Sequence, residues 1–188
     1  MLKGTIEERI AAVAHEEIAI VPYDPDWPRR FEEEARYLRS RLPPSLIVRI
    51  EHYGSTAVPG LSAKPVVDML VEVASLEKVR KIVAPQLEAE GYDYFWRPEP
   101  PDGQAMYAWF IKRDAQGRRT HHIHMVEAVS RMWDGLCFRD ELRRNSDVAR
   151  RYEDLKLSLA EKFRHDREGY TRNKTEFVVA ITEKAKKR

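Results

Sequence analysis

The spacing of apolar positions divides the chain into a strand-rich middle and a helical end. Thr5 with Glu8 three residues later has the form of a capping box, which predicts a helix to about Glu17. The short apolar run from Ile18 to Pro22 predicts a first strand. Asp26 caps a helix with Pro28 in its first turn. Phe31, Ala35, Leu38 and Leu42 share one face of it, and Pro43-Pro44 stops it. From Leu46 to His52 the pattern alternates, with Leu46, Val48 and Ile50 one way and Ile47, Arg49 and Glu51 the other, which predicts a strand.

Gly54 to Pro65 holds two glycines, two prolines and three hydroxyl residues and reads as a loop or short helical turn. Val66 to Ala74 is a strongly apolar strand interrupted by Asp68 and Glu72. Ser75 caps a helix running to Glu90, and Gly91 ends it. Tyr92 to Arg97 predicts a weaker strand and Pro98 to Gly103 a loop. Ala105 to Lys112 and Arg118 to Val126 are strands joined by the turn Asp114-Ala115-Gln116-Gly117. From Ser130 onward the period is helical, over roughly 130–144, 147–164 and 167–186. Strands in the middle and helices at the end predict an α+β fold, a mixed central β-sheet with a helical C-terminal portion packed on it.

Composition narrows the function classes. The chain has 188 residues, the size of one domain, read as 1–188. Hydrophobic residues make up 43%, too many for a disordered chain, yet no apolar run approaches the ~20 residues of a membrane helix. Met1 to Ile10 has no charged-then-apolar leader pattern, and Cys137, a single cysteine, excludes an internal disulfide or multi-cysteine zinc site. Cys137 is expected to be buried filler. A cytoplasmic location is the expectation. The net charge of +2 argues against nucleic acid, but residues 139–188 carry 15 Lys/Arg against 10 Asp/Glu. That excess reads either as a solvated helical surface or as a basic wall facing an anionic ligand.

Three stretches carry candidate chemistry. Gly54-Ser55 follows a predicted strand, where backbone N–H groups and a hydroxyl can surround a phosphate; the alternative is a plain tight turn, and no P-loop pattern is present. Asp68 lies inside an apolar strand, so it must be paired, hydrogen-bonded or metal-bound. Arg49 or Lys64 would supply a structural pair. Glu72 stands four residues on, about 13 Å away along a strand, and cannot share an ion with Asp68. In Thr120-His121-His122-Ile123-His124, His122 and His124 share a face while His121 points the other way, a spacing suited to one metal ion or one anionic group. Asp68 from a neighbouring strand would complete such a site. Basic candidates are Arg49, Lys64, Arg139, Lys156, Arg167 and Lys174. Lys156, Tyr170 and Lys174 would reach the site only if the last helices fold back over the sheet. Trp96, Tyr107, Trp109 and Trp133 flank the hairpin as core residues or as a stacking surface for a base.

Val21-Pro22-Tyr23-Asp24-Pro25-Asp26-Trp27, the run from Glu51 to Asp68, Thr120 to His124, Phe138-Arg139-Asp140 and Asp166 to Thr171 together closely resemble the GrpB family, over roughly residues 18–183. The resemblance implies a nucleotidyltransferase-like fold, in a domain also found at the C-terminus of some dephospho-CoA kinases. In that superfamily a Gly-Ser turn holds a triphosphate, and Asp-x-Asp or Asp-x-Glu on the next strand holds two magnesium ions. Gly54, Ser55 and Asp68 match that pattern. Leu70 stands at the second acidic position, and His122 or His124 stands where a third carboxylate would be. The function implied is nucleotidyl transfer from a Mg-NTP to a small acceptor. Asp68, His122 and His124 would be catalytic and metal-binding, with Gly54, Ser55, Lys64, Arg139 and Lys174 on the nucleotide. Magnesium is the expected ion, with zinc or manganese as alternatives. The other readings are a single-metal Asp/His/His hydrolase and a non-catalytic module for a nucleotide or CoA-like ligand. No membrane partner is expected, and a homodimer is left open.

Overall fold

The computed structural model describes residues 16–97 and 106–188, together with Glu8 and Val13. The capping box at Thr5 and the loop from Pro98 to Gly103 therefore lie outside the described residues. Glu16 and Glu17, expected to finish the first helix, are not helical.

The fold is α+β. Helix α1 spans Trp27–Arg41 and is followed by strand β1, Ile47–Tyr53. A short 3-10 turn at Ser55–Ala57 leads to β2, Val67–Val73. Helix α2 covers 76–89, and β3, β4 and β5 are Asp93–Arg97, Tyr107–Arg113 and Arg119–Val126. Helices α3, Asp134–Arg144, α4, Ser146–Lys162, and α5, Arg167–Lys186, complete the chain. The five strands form one sheet in the order β1-β2-β5-β4-β3, with β2 and β5 parallel and the other pairs antiparallel.

Alternation along the strands decides what each face does. Val67, Met69, Val71, Phe110, Ile123 and Met125 face the main core, where they meet Trp27 and Leu38 of α1 and Val79, Val83 and Leu87 of α2. The opposite face carries Asp68, Leu70, His122 and His124. The parallel register of β2 and β5 sets Asp68 beside His122 and Leu70 beside His124. The C-terminal helices build a second core of Phe138, Leu142, Val148 and Tyr152 around Val58 and Leu61 of the loop between β1 and β2. That packing anchors the helical portion to the Gly54–Pro65 loop. Among the described residues no helix is long and apolar enough to cross a membrane.

Several local expectations are corrected. The strand over Ile18 to Pro22 is a single bridge between Val21 and Ala63. Ile18 gives its N–H to the Arg164 carbonyl instead, and Pro22 has none to give. Asp26 stands at the N-cap of α1, but its carboxylate holds Arg29 and Arg30 rather than a backbone N–H. A register shift between Ile47 and Arg49 turns Val48 outward, leaving it 60% exposed. Ser75 does cap α2, accepting from the Lys78 N–H, but Val79–Val83 forms a π-helical turn. Pro85 explains it: its ring crowds the carbonyl four residues back and has no N–H, so the ladder widens. Cys137 is half-buried.

Candidate functional site

β1 delivers Gly54 directly over Asp68. Tyr53 and Asp68 pair across β1 and β2, and the chain then turns with Gly54 at φ 74°, ψ −170°. That conformation is close to glycine-only. A Cβ on Gly54 would stand 2.6 Å from Asp68 Oδ2, so the absence of a side chain is what lets backbone and carboxylate approach. His52, buried and stacked on Phe31, holds the turn through its contact with Thr56 Oγ1 at 3.0 Å.

Asp68 takes its partner from β5. His122 Nδ1 lies 3.1 Å from Asp68 Oδ1, and His122 Nε2 lies 3.3 Å from Arg119 Nη1. A guanidinium only donates, so Nε2 must accept and the proton must sit on Nδ1, donated to Asp68. Arg119 is itself held by Glu16 and by the Val13 carbonyl. Burial drives His122 down to about 4, so the ring is neutral near pH 7. Burial alone would raise the Asp68 carboxyl, but the hydrogen bond from His122 and the nearby charge of Lys64 outweigh it and the net shift is downward. His124 is lowered by burial to about 3. Its ring lies among Tyr53, Tyr107 and Trp109, and its buried Nδ1 has no hydrogen-bond partner among the described residues. One donor atom from each of Asp68, His122 and His124 lies within 4.8 Å of the others.

His122→Asn is expected to keep Asp68 in place, because an amide N–H can occupy the position of Nδ1–H. His122→Leu is expected to cost about 1–3 kcal/mol by stranding Asp68 and Arg119. Thermal melts compare the two, and long-range ¹⁵N–¹H spectra of the histidines read the Nδ1–H tautomer directly.

In front of Asp68 lies a cavity of about 400 Å³. Gly54, Ser55, Lys64 and Asp68 line it from the sheet side, and Lys156, Tyr170 and Lys174 line it from α4 and α5. The last helices therefore do fold back onto the site. Lys64 Nζ and Lys174 Nζ stand over the Tyr170 ring, at 5.4 and 4.5 Å from its centroid. Burial, then the charges of Lys174 and Arg167, push Lys64 down to about 7. Burial also lowers Lys156 to about 7, and its amine donates to the Ser62 carbonyl. Tyr53, Phe138, Tyr152 and Val178 give the cavity an apolar and aromatic end.

Other candidates lie elsewhere. Arg139 does not line the cavity; α3 packs beside β1, and the guanidinium meets Glu51, Asp140 and the His52 carbonyl. Arg49 pairs with Glu72 at 2.8 Å and covers Trp133, so it is not the partner of Asp68; nor is Lys64, which acts on Asp68 only through its charge. Arg167 holds the Glu16 and Glu17 carbonyls. His122 and His124 stand beside Asp68 but do not line the cavity. Trp109 is buried, whereas Trp96, Tyr107 and Trp133 are half-buried. Sequence reasoning missed Arg119, Tyr53, Phe138 and Tyr152. For Lys156 a stronger signal existed: Val148, Tyr152, Lys156 and Leu159 fall on one stripe of α4, which makes a lysine there inward-facing.

The GrpB protein family model matches residues 17–184. A UPF0157 protein of Pseudomonas aeruginosa is 41% identical over 169 residues, 89% of this chain and 67% of that protein. The glutamate-rich protein GrpB of Alkalihalophilus pseudofirmus is 36% identical over 88% of this chain and 94% of its own length. Part of the chain, 43%, is also 35% identical to a fifth of a dephospho-CoA kinase of Mycolicibacterium paratuberculosis. The crystal structure of the conserved protein GrpB from Enterococcus faecalis superposes with a TM-score of 0.76 at 33% identity, covering 90% of this chain and 98% of that one. With its mixed five-stranded sheet, its Gly-Ser turn over Asp68 and a match across nearly its whole length, the chain belongs to the GrpB family.

Proposed function

We propose that the cavity binds a nucleoside triphosphate with one divalent ion and passes its nucleotidyl group to a small acceptor. The observation that carries this reading is the convergence of Gly54-Ser55, Asp68 and three lysine side chains on one cavity with an aromatic end. Lys156 and Lys174 offset phosphate charge, Lys64 stands beside the phosphates, and Tyr53, Phe138 and Tyr152 offer surface to a base.

The donor set suits one ion. Leu70 is fully buried and leaves Asp68 as the one carboxylate of β2 that lines the cavity, Glu72 being held by Arg49, so a second ion has no holder there. Asp68 and His124 are the residues that fit it, while Arg119 keeps His122 as a donor to Asp68. A carboxylate and an imidazole suit manganese or zinc at least as well as magnesium. Such an ion would neutralise charge building on the transferred phosphoryl oxygens. The orphaned His124 nitrogen also favours a second reading, a single-metal hydrolase, which requires metal binding without nucleotide.

Calorimetric titration of metal-stripped protein with ATP, GTP, CTP and UTP, each with Mg²⁺ or Mn²⁺, tests the proposal. Binding of at least one nucleotide is expected at about 1 μM to 1 mM, lost in Asp68→Ala. Tight Zn²⁺ binding lost in His124→Ala, with no nucleotide bound, would instead select the hydrolase. Nucleotide binding that survives Asp68→Ala would leave only a binding module. Proton uptake is a further expected outcome. A polyphosphate beside Lys156 raises its amine from about 7, so binding at pH 8 takes up a proton, read as a buffer-dependent heat.

A further inference from the structure

We propose that Lys64 is the nucleophile of a two-step transfer and carries the nucleotidyl group as a lysyl phosphoramidate between two cavities. This rests on the nucleotide reading above and deepens it. Beside the first cavity lies a second of about 380 Å³, bounded by Glu16, Glu17, Pro65, Arg118, Arg119 and Arg167. Among the described residues Lys64 is the one that lines both. Transfer by this route requires a group attached to its amine from one side to be reached from the other.

The amine is also uncommitted. Among the described residues Lys64 Nζ makes no hydrogen bond or ion pair, and its contact is the Tyr170 ring. Lys156, by contrast, spends its amine on Ser62. The charged groups acting on Lys64 are Lys174 of α5, Arg167 at the start of α5, Arg119 of β5 and Asp68 of β2; three of the four are cations. Burial and these cations favour the free amine, the form that attacks. Its backbone is fixed as well. Ala63 exchanges two hydrogen bonds of 2.9 Å with Val21, and Pro65 follows.

In the first step neutral Nζ attacks the α-phosphorus of the triphosphate. An N–P bond forms, the P–O bond to pyrophosphate breaks, pyrophosphate leaves with the electron pair, and the amine proton passes to solvent. In the second step an acceptor hydroxyl entering from the second cavity attacks the same phosphorus. The new P–O bond forms, the P–N bond breaks, and Nζ recovers a proton. No oxidant or reductant takes part.

The test uses the full chain with each of the four α-³²P-labelled nucleotides and Mg²⁺ or Mn²⁺, without acceptor, with calorimetry run in parallel. The expected result is one nucleoside monophosphate added per chain, one pyrophosphate released, and a label stable to alkali, lost in acid and mapped to Lys64. Lys64→Arg, which keeps a cation but removes the nucleophilic amine, is expected to show label at background. Nucleotide binding without an adduct, or an adduct that persists in Lys64→Arg, overturns the proposal and leaves nucleotide binding standing. No nucleotide bound overturns both. A second arm uses pyridoxal 5′-phosphate with borohydride at pH 7, a phosphorylated aldehyde that traps free amines as imines. Lys64 is expected to label ahead of the surface lysines, and labelling that spares Lys64 counts against a reactive amine whatever the nucleotide result.

Discussion

Gly54→Ala is expected to abolish metal-dependent nucleotide binding and to destabilise the fold by about 1–3 kcal/mol. Two independent penalties fall on the one methyl group. At φ 74°, ψ −170° the backbone is strained for any L side chain. The new Cβ would also stand 2.6 Å from Asp68 Oδ2 and 3.0 Å from Asp68 Cβ. Asp68 has little freedom to yield, because His122 holds its other oxygen and Arg119 holds His122. Either the carboxylate rotates out of its hydrogen bond or β1 lifts from β2, and each outcome removes Asp68 from the cavity wall. Gly60→Ala separates the two penalties. Gly60 also has positive φ, 79°, but nothing lies within 4 Å of its would-be Cβ, so that variant should lose stability and keep binding. Thermal melts and calorimetry on both variants check this. Gly54→Ala that binds nucleotide as wild type does would remove Asp68 from the proposed site.

The sheet-borne half of the site was legible because strand patterning is local. The alternation in Val67–Val73 and Arg119–Val126 fixed which residues share a face with Asp68, and Gly117 marked the hairpin. Their adjacency, however, is a parallel pairing between residues 54 apart in the chain, which no local pattern encodes; the chemistry of a three-ligand site suggests it and the pairing of β2 with β5 provides it. Val48 was misplaced because a register shift is a property of two strands together. The helical half was less legible. Arg139 and Lys156 are both basic residues on amphipathic helices, and only tertiary packing decides that one meets Glu51 while the other meets Ser62. The tautomer of His122 was out of reach too, since it depends on Arg119 arriving with donors alone.

Gly169→Ala tests the helical wall as Gly54→Ala tests the sheet. Asp166 caps α5, its Oδ1 accepting from the Gly169 N–H at 2.8 Å. A Cβ on Gly169 would stand 2.2 Å from Asp166 Oδ2 and 2.8 Å from Phe163 Cδ1, so the cap must swing away or the first turn of α5 must move. Loss of the cap alone is worth about 0.5–2 kcal/mol. Displacement of the turn matters more for binding, because Tyr170, Thr171 and Lys174 follow at once and line the cavity. Tyr170 is 1% exposed and packs with Ile18, Leu159 and Phe163, so it has no alternative seat on the helix. The expected result is a folded protein with a melting temperature lower by several degrees and nucleotide affinity reduced by about tenfold or more, the loss of one or two charge-assisted contacts. Binding of Mn²⁺ or Zn²⁺ alone should stay near wild type, since Asp68 and His124 belong to the sheet. A variant that loses nucleotide but keeps the ion assigns the two tasks to opposite walls of the cleft. A variant that keeps both, despite a measured loss of stability, would mean that the start of α5 does not hold the ligand.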